Sequence, residues 1–264
     1  MAELGLPVLV KEARSEFHAG RHYVRDEREL GPLCAGAVFP LLVQEAVTGE
    51  EFAAEFLSGP GSTVAWPVAS LGRLDERCAP GRRVRVAPAA PPAGARRELE
   101  AVVRDLERAF APRGPWQMDF AVTDAGRLRV IELNGRFGGV SNMSWACTGL
   151  DPHAAHARAV LGRHPGPAPA AHRVALELPV PGEAVPPPPP PGTELLLFPG
   201  SPANPGPRVG GFHRCVLGVP PGREEAARDW LAALPPGTLP GPWQEAAARL
   251  ARGTAALRIT PGGW

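Results

Sequence analysis

The stretch Trp116–Gly139, which reads WQMDFAVTDAGRLRVIELNGRFGG, decides the fold that we predict for this chain. Two runs rich in apolar and β-branched residues, Gln117–Thr123 and Leu128–Leu133, are typical of β-strands. The short segment Asp-Ala-Gly between them is typical of a hairpin turn. The sequence therefore predicts a β-hairpin at this place.

Three oxygen-bearing side chains gather on one face of the predicted hairpin. Glu132 and Asn134 share a face because side chains alternate along a strand, and pairing across the hairpin can bring Asp119 beside them. Carboxylates in such an apolar setting need a partner, and Mg²⁺ prefers oxygen ligands. We therefore predict a metal site. The alternative interpretation of the same pattern is a solvated acidic face.

The residues that follow the hairpin favour contact with an anion. Arg136 comes directly after the acidic strand, and a guanidinium binds phosphate or carboxylate through two parallel hydrogen bonds. Gly135, Gly138 and Gly139 allow the backbone to pass close to a ligand. We expect Arg136 to contact a phosphate or a carboxylate.

The phrase MDF…VIELNGRFGG resembles the metal-binding hairpin of the ATP-grasp superfamily. In that family an acidic or amide residue on one strand precedes a Glu-x-Asn-x-Arg sequence on the next. Asp119, Glu132 and Asn134 match the metal positions, and Arg136 matches the arginine. The resemblance implies an α+β fold in which two lobes grip ATP with Mg²⁺, or with Mn²⁺ as an alternative. It also implies that a carboxylate is activated as an acyl phosphate and joined to an amine.

The same resemblance covers the beginning of the chain. A strand at Leu6–Val10 leads into Lys11, which is the single lysine of the sequence. In the family this lysine reaches the nucleotide phosphates, and a glycine-rich loop follows it. Here the loop has one glycine, Gly20, with Arg21 and His22 beside it. We expect Gly20 and Arg21 to contact the phosphates, with Arg14 and His22 as further candidate donors.

A third segment resembles the adenosine pocket of the family. Gln44, Glu45 and Val47 match the linker between the lobes, which offers backbone groups to adenine. Glu51 matches the acid that holds the ribose hydroxyl groups. An edge strand with solvated acids is the alternative interpretation.

The spacing of apolar residues and the proline-rich segment outside these motifs predict the domain organisation. Apolar residues repeat with helical spacing in Ala95–Ala111, so we expect an amphipathic helix directly before the hairpin. We predict a partial ATP-grasp domain over residues 1–165, with a lid lobe at 1–46 and a metal and nucleotide lobe at 47–165. Residues 166–264 are expected to form a small α+β module after a proline-rich linker.

Composition excludes several classes of function. The chain has 264 residues, 44% of them hydrophobic, and a net charge of +1, which gives no signal for binding nucleic acid or a membrane surface. No apolar run reaches the roughly 18 residues of a membrane span. Four scattered cysteines, Cys34, Cys78, Cys147 and Cys215, favour reduced thiols in a cytoplasmic protein.

The resemblance implies a carboxylate-amine ligase in which Lys11 and Arg136 act in catalysis. Its partners would be ATP, a small-molecule carboxylate, and an amine or amino acid. Lys11 lies only ten residues after Met1, so we expect a companion protein or a homodimer to supply the missing N-terminal domain of a split enzyme. Two alternatives stay open: a non-catalytic or weakly active nucleotide-binding subunit, and a carboxylase-type or phosphotransferase relative.

Overall fold

Two antiparallel sheets of unequal size form the framework of the protein. The computed structural model describes residues 4–12, 20–59, 62–74, 82–163, 169–181, 184, 186–197 and 212–259. Within these ranges the smaller sheet has three strands, β1 (Val8–Glu12), β2 (Arg21–Val24) and β3 (Leu41–Glu45), with β1 in the centre. Val8, Val10 and Val24 form its buried side.

The larger sheet contains nine strands in the described part of the chain. They are β4 (Gly49–Gly59), β5 (Ser62–Ala65), β6 (Ala69–Leu74), β7 (Arg85–Ala87), β8 (Gly114–Thr123), β9 (Leu128–Asn134), β10 (Val174–Pro181), β11 (Glu194–Leu197) and β12 (Phe212–Val219). The spatial order is β11-β12-β10-β7-β6-β4-β8-β9, and β5 pairs with β4. The predicted hairpin is confirmed, because β8 and β9 pair antiparallel.

Six α-helices occur among the described residues. They are α1 (Leu30–Gly36, after a 3₁₀ turn at Glu27–Glu29), α2 (Ala93–Phe110), α3 (Ser141–Thr148), α4 (Pro152–Val160), α5 (Glu224–Ala232) and α6 (Trp243–Ile259). None of these helices combines the length and the apolar character that crossing a membrane requires. The described cysteines, Cys34, Cys147 and Cys215, are free thiols, and Cys78 lies outside the described residues.

One face of the large sheet carries most of the bulky core. Helix α2 covers it with Leu99, as the apolar spacing of the sequence predicts, and the aromatic rings beneath stack in pairs. The ring centroids of Phe52 and Phe120 lie 5.5 Å apart, and those of Phe56 and Trp116 lie 4.0 Å apart. This packing holds β4 and β8 side by side, so the position of the hairpin is set from the face opposite the candidate site.

Helix α3 covers part of the other face. It packs on small side chains of the sheet, including Ala53, Ala69, Ala87 and Ala175. Short side chains let a helix approach a sheet closely, so α3 lies directly against the central strands. The segment that joins the hairpin to α3 therefore runs across the sheet face rather than away from it.

A buried carboxylate ties this segment to the central strand β4. Glu55 is 1% exposed and accepts hydrogen bonds from Ser141 Oγ at 2.6 Å, Ser144 Oγ at 2.7 Å and the Gly138 amide at 3.2 Å. Three donors on one buried carboxylate fix the backbone between the hairpin and α3. Sequence patterns did not indicate this role, because Glu55 and its donors are more than 80 residues apart.

The large sheet continues across the predicted boundary at residue 165. Strand β10 pairs with β7 through Ala175 opposite Ala87 and Glu177 opposite Arg85. The strands assigned to a C-terminal module are therefore hydrogen-bonded to the core lobe in the same sheet. The division into a lid lobe, a core lobe and a separate module stays a prediction.

Close packing of α6 on this sheet yields a stability prediction. A Cβ atom at Gly253 would lie 2.6 Å from Val86 Cγ2 and 2.7 Å from Val174 Cγ1. We expect Gly253→Ala to lower the free energy of unfolding by about 1–3 kcal/mol, because overpacking outweighs the gain in helix propensity. Denaturant unfolding monitored by circular dichroism measures this change.

The control is the same substitution in α2. Nothing lies within 4 Å of a Cβ atom at Gly94, so Gly94→Ala should raise the free energy of unfolding by about 0.5–1 kcal/mol. A Gly253→Ala variant as stable as the Gly94→Ala variant would show that α6 does not pack on β7 and β10 in this way.

The second prediction concerns the charge of Glu55. Burial raises the pKa of Glu55 above its ordinary value, and the three donors offset only part of this effect. A carboxyl group with a raised pKa in the folded protein stabilises the fold at low pH, and this stabilisation is lost as the pH rises through that pKa. The free energy of unfolding of the wild type, minus that of Glu55→Gln, should therefore fall as the pH rises above the ordinary pKa of a glutamate side chain. A difference that grows with pH would show that the three donors stabilise the anion more than burial destabilises it.

Candidate active site

The two predicted metal-binding carboxylates face each other across the hairpin. Asp119 on β8 lies opposite Glu132 on β9, and Gln117 lies opposite Asn134 in the same ladder. The register shifts between Asp119 and Phe120, which marks a β-bulge beside the acids. The structure thus brings Asp119, Glu132 and Asn134 together on the face of the sheet that α3 partly covers.

Asp119 sits in an environment that disfavours its charge. Burial, together with the nearby negative charges of Glu51 and Glu132, raises the pKa of Asp119 to about 7, although Gln117 Nε2 donates a hydrogen bond to Asp119 Oδ1 at 2.6 Å. A buried carboxylate with two like charges near it is stabilised by a cation. The electrostatics of this face therefore suit a bound positive charge.

The donor set fits a hard divalent cation. No group of three His, Cys, Asp or Glu side chains suited to a metal occurs among the described residues, so the amide of Asn134 is needed beside the two carboxylates. Mg²⁺ commonly takes one or two carboxylates and completes its shell with water and phosphate oxygens. Gln117 Oε1 is buried on the same face without a hydrogen-bond donor among the residues that the structure describes. Asp119, Glu132 and Asn134, called here the acidic trio, thus match Mg²⁺ chemistry.

The basic side of the small sheet approaches the acidic trio. Lys11 on β1 is 9% exposed and lies opposite Arg21 on β2. Arg21 Nη2 lies 3.8 Å from Glu132 Oε2, which links the small sheet to the hairpin. Two of the predicted phosphate contacts, Lys11 and Arg21, are therefore neighbours on adjacent strands at the side of the small sheet that reaches the hairpin.

Gly20 has a structural reason to be glycine. It has a φ of +65°, and a Cβ atom there would lie 2.7 Å from Glu12 Cδ. The amide of Glu12 donates to the Gly20 carbonyl at 3.0 Å. Contact between Gly20 and phosphate stays a prediction. The preceding part of the predicted loop, with Arg14, lies outside the described residues.

The predicted adenine segment lies in the connection between the two sheets. Gln44 and Glu45 are the last residues of β3, and Val47 stands between β3 and β4. This place agrees with a linker between lobes, while contacts of these three residues with adenine stay predictions.

Glu51, the predicted ribose acid, points to the same face as the acidic trio. Its Oε2 forms an ion pair with Arg83 Nη1 at 2.7 Å, although the two groups do not meet the geometry of a hydrogen bond. The negative charge of Glu51 also raises the pKa of Asp119. The ribose contact remains a prediction, because Glu51 is held in an ion pair with Arg83 and lies electrostatically close to the acidic trio.

Arg136 is exposed and turned toward its own backbone. Its Nη1 donates to the carbonyl of Phe137 at 2.9 Å. No contact in the described part of the chain joins Arg136 to the acidic trio. Its role toward a phosphate or carboxylate is therefore still a prediction that requires a rotation of the side chain.

Sequence reasoning missed a cluster of charges on the same sheet face. Arg85 Nη1 and Arg214 Nη1 lie 3.2 Å and 2.9 Å from Glu177 Oε1. Arg83 lies beside them, since its carbonyl accepts a hydrogen bond from Arg214 Nη1 at 3.1 Å. The sequence indicates part of this cluster, because Arg83 and Arg85 are two residues apart in an extended segment and therefore share a face. Arg214 follows 131 residues after Arg83, and no pattern in the sequence joins it to them.

Comparison with known proteins matches part of this chain by sequence and most of it by structure. No family model matches the chain. The D-alanine--D-alanine ligase of Geotalea uraniireducens (strain Rf4) is 27% identical over 137 residues, which are 50% of this chain and 44% of that enzyme. The chain thus spans less than half the length of this curated relative.

Solved structures with similar folds cover most of the chain. N5-carboxyaminoimidazole ribonucleotide synthetase from Thermus thermophilus matches 88% of this chain and 61% of its own at 22% identity, with a TM-score of 0.66. An Aspergillus clavatus carboxyaminoimidazole ribonucleotide synthase complexed with ATP matches 94% of this chain and 64% of its own at 17% identity, with a TM-score of 0.68. The biotin carboxylase domain of Hydrogenobacter thermophilus 2-oxoglutarate carboxylase matches 89% of this chain and 58% of its own at 17% identity, with a TM-score of 0.64.

These enzymes share one architecture, which this chain reproduces over less than two thirds of their length. The mixed α and β elements and the antiparallel sheets agree with it. The fold inferred from the hairpin motif is confirmed: this chain has the ATP-grasp fold.

Proposed function

We propose that this chain carries the nucleotide and metal site of an ATP-dependent ligase, which activates a carboxylate as an acyl phosphate and joins it to an amine. The observation that carries the proposal is the pairing of Asp119 with Glu132 across the hairpin, with Asn134 two residues further along β9 on the same face. Two carboxylates and an amide on rigid paired strands form a pre-organised cation site.

The acidic trio would hold Mg²⁺, with Mn²⁺ as the alternative. When bound, the ion screens the negative charge of the nucleotide phosphates. Asp119 is the residue most dependent on the cation, because burial and the charges of Glu51 and Glu132 raise its pKa to about 7. Glu132 keeps its place through the ladder with β8 and through Arg21.

Lys11 and Arg21 would bind the phosphates of ATP from the small sheet. A largely buried ammonium group favours an anionic partner, and Arg21 adds a donor from the neighbouring strand. Gly20 would present its backbone to the phosphates. The connection that contains Gln44, Glu45 and Val47 would meet adenine, and Glu51 would accept hydrogen bonds from the ribose.

Arg136 would stabilise the charge that develops on the acyl phosphate. Its exposed guanidinium needs only to leave the Phe137 carbonyl and turn toward the acidic trio. Donors aimed at developing charge lower the barrier most where water is excluded. The amine would then attack the acyl carbon, so that the new C–N bond replaces the bond to the phosphate oxygen.

Structures with the same fold support the class of reactants. An Aspergillus clavatus enzyme with a TM-score of 0.65 to this chain holds ADP and 5-aminoimidazole ribonucleotide, and the Hydrogenobacter domain holds MgADP and bicarbonate. Both pair a nucleotide with a small anionic or amine-bearing reactant. We take from them the class only: ATP, a carboxylate or carbonate, and an amine.

The proposal predicts a magnesium-dependent turnover that Glu132 supports. The wild type should release ADP and phosphate with members of a panel of carboxylates and amines. Glu132→Gln should lower this rate at least about 100-fold, because loss of a metal-binding charge removes several kcal/mol of stabilisation of the transition state. The assay measures ADP release by coupled spectrophotometry, with circular dichroism to verify the fold.

The matched control is Glu225→Gln, since Glu225 is an exposed acid of α5 far along the chain from the hairpin. This variant should retain the wild-type rate. Equal rates for the wild type and Glu132→Gln, or a wild type whose nucleotide binding ignores Mg²⁺, would contradict the proposal. Binding of Mg-ATP without turnover would favour the alternative of a nucleotide-binding subunit.

A further inference from the structure

A cavity lies on the face of the large sheet opposite the acidic trio. It has a volume of about 370 Å³ and lies between the beginning of α2 and the end of α6. Val68 and Leu99, which belong to the core beneath α2, form its buried wall. The cavity is therefore separate from the candidate active site.

The walls of the cavity are rigid. Three of the lining residues are prolines, Pro67, Pro88 and Pro91, and the fixed φ of proline restricts the movement of the backbone. The Ala89 amide donates a hydrogen bond to the Val68 carbonyl at 2.7 Å, which joins the segment before β6 to the segment after β7. A rigid cavity loses little conformational entropy when a ligand enters it.

The lining is apolar except for one arginine. Arg96, in the first turn of α2, is the single charged residue that borders the cavity among the described residues. Its Nε lies 3.3 Å from Glu100 Oε1, and the two side chains are 43% and 37% exposed. An exposed ion pair of this kind contributes little free energy, so Arg96 can turn toward a ligand at low cost.

The beginning of α2 adds positive character at the same place. Ala93, the first residue of the helix, lines the cavity. No side chain caps the helix, and its first turn contains no acidic residue. The free amides at the start of a helix attract a negative group. The cavity identifies the site, whereas Arg96 and the helix end determine the charge of the group that suits it.

The size of the cavity favours a small molecule over a protein partner. Pockets for small molecules commonly have volumes of about 300–1,000 Å³, mostly apolar walls and few polar groups. A stable protein interface needs about 800 Å² of surface from each partner, which is far more than such a cavity offers. Ile259, a large apolar residue of the lining, is 68% exposed, and a ligand in the cavity would cover it.

We propose that this cavity binds a small molecule with an apolar body and one anionic group. The apolar body would contact Val68, Leu99 and Ile259, and the anionic group would meet Arg96 and the first amides of α2. Because the cavity lies on the face opposite the acidic trio, its ligand is a second, non-reacting ligand and not a substrate of the proposed ligase reaction. Binding there does not depend on the proposed function.

The test is calorimetric titration of the full chain with two matched probes, 4-phenylbutyrate and the neutral 4-phenylbutanamide. Both probes have the same apolar body, so the cavity should bind both. We expect 4-phenylbutyrate to bind about 3-fold more tightly, because only its carboxylate gains from Arg96 and the helix end. Arg96→Gln should reduce this preference without weakening the amide. Arg97→Gln, which removes an exposed charge at the next position of α2, is the control and should keep the preference.

A second pair of variants tests the place of binding. Ala93→Phe should raise the Kd of both probes at least about 10-fold, since the added ring takes the space that their apolar body occupies. Ala109→Phe adds the same ring at an exposed position near the other end of α2 and should bind both probes as the wild type does. Circular dichroism verifies the fold of each variant, and Arg96→Gln remains a test if Ala93→Phe does not fold.

Several results would overturn the inference. They are a wild type that binds neither probe, a wild type that binds both probes equally, and an Ala93→Phe variant with unchanged affinity. Residues 260–264 follow Ile259 and lie outside the described residues. A Trp264→Ala variant that binds both probes at least about 10-fold more tightly than the wild type would assign the cavity to this segment instead.

Discussion

The burial of Asp119 beside the like charges of Glu51 and Glu132 is the constraint on which the candidate site depends. Asp119 lies opposite Glu132 across the hairpin, and burial together with the like charges of Glu51 and Glu132 raises the pKa of Asp119 to about 7. Two facing carboxylates repel each other, and the antiparallel ladder between β8 and β9 holds their strands together. The stacking of Phe52 on Phe120 and of Phe56 on Trp116 fixes β8 against β4 from the opposite face.

Charge is distributed unevenly along this sheet face. Acidic groups lie on β8 and β9 near its one edge, and the arginines with Glu177 lie on or beside β7, β10 and β12. Between the acidic groups and the arginines, Glu51 and Arg83 form an ion pair with each other. A cation at the acidic end would reduce an unfavourable local charge, because burial and the charges of Glu51 and Glu132 disfavour the anion of Asp119.

The sequence predicted the parts of the fold that local patterns specify. The hairpin and helix α2 follow from alternation and helical spacing within short segments, and both are confirmed. The Glu-x-Asn-x-Arg motif led to the ATP-grasp fold because Glu132 and Asn134 lie on one strand and Asp119 lies on the strand before it. Local patterns of this kind need no knowledge of how distant segments meet.

Other features depended on contacts between distant segments. Glu55 finds its donors more than 80 residues away, and Arg214 reaches Arg83 across 131 residues. The pairing of β10 with β7 likewise joins the C-terminal strands to the core sheet, which the proline-rich linker did not suggest. Arg136 has the right place in the motif, yet its side chain binds the Phe137 carbonyl. Register and side-chain direction are set by tertiary packing, so the sequence alone could not predict them.

A crystal structure with ADP and Mn²⁺, with data collected at the manganese absorption edge, tests the central claim most directly. The account predicts an anomalous peak within about 2.0–2.6 Å of oxygen atoms of Asp119, Glu132 and Asn134, the range typical of hard divalent cations with oxygen ligands. A peak that contacts the nucleotide phosphates but none of these three side chains would contradict it.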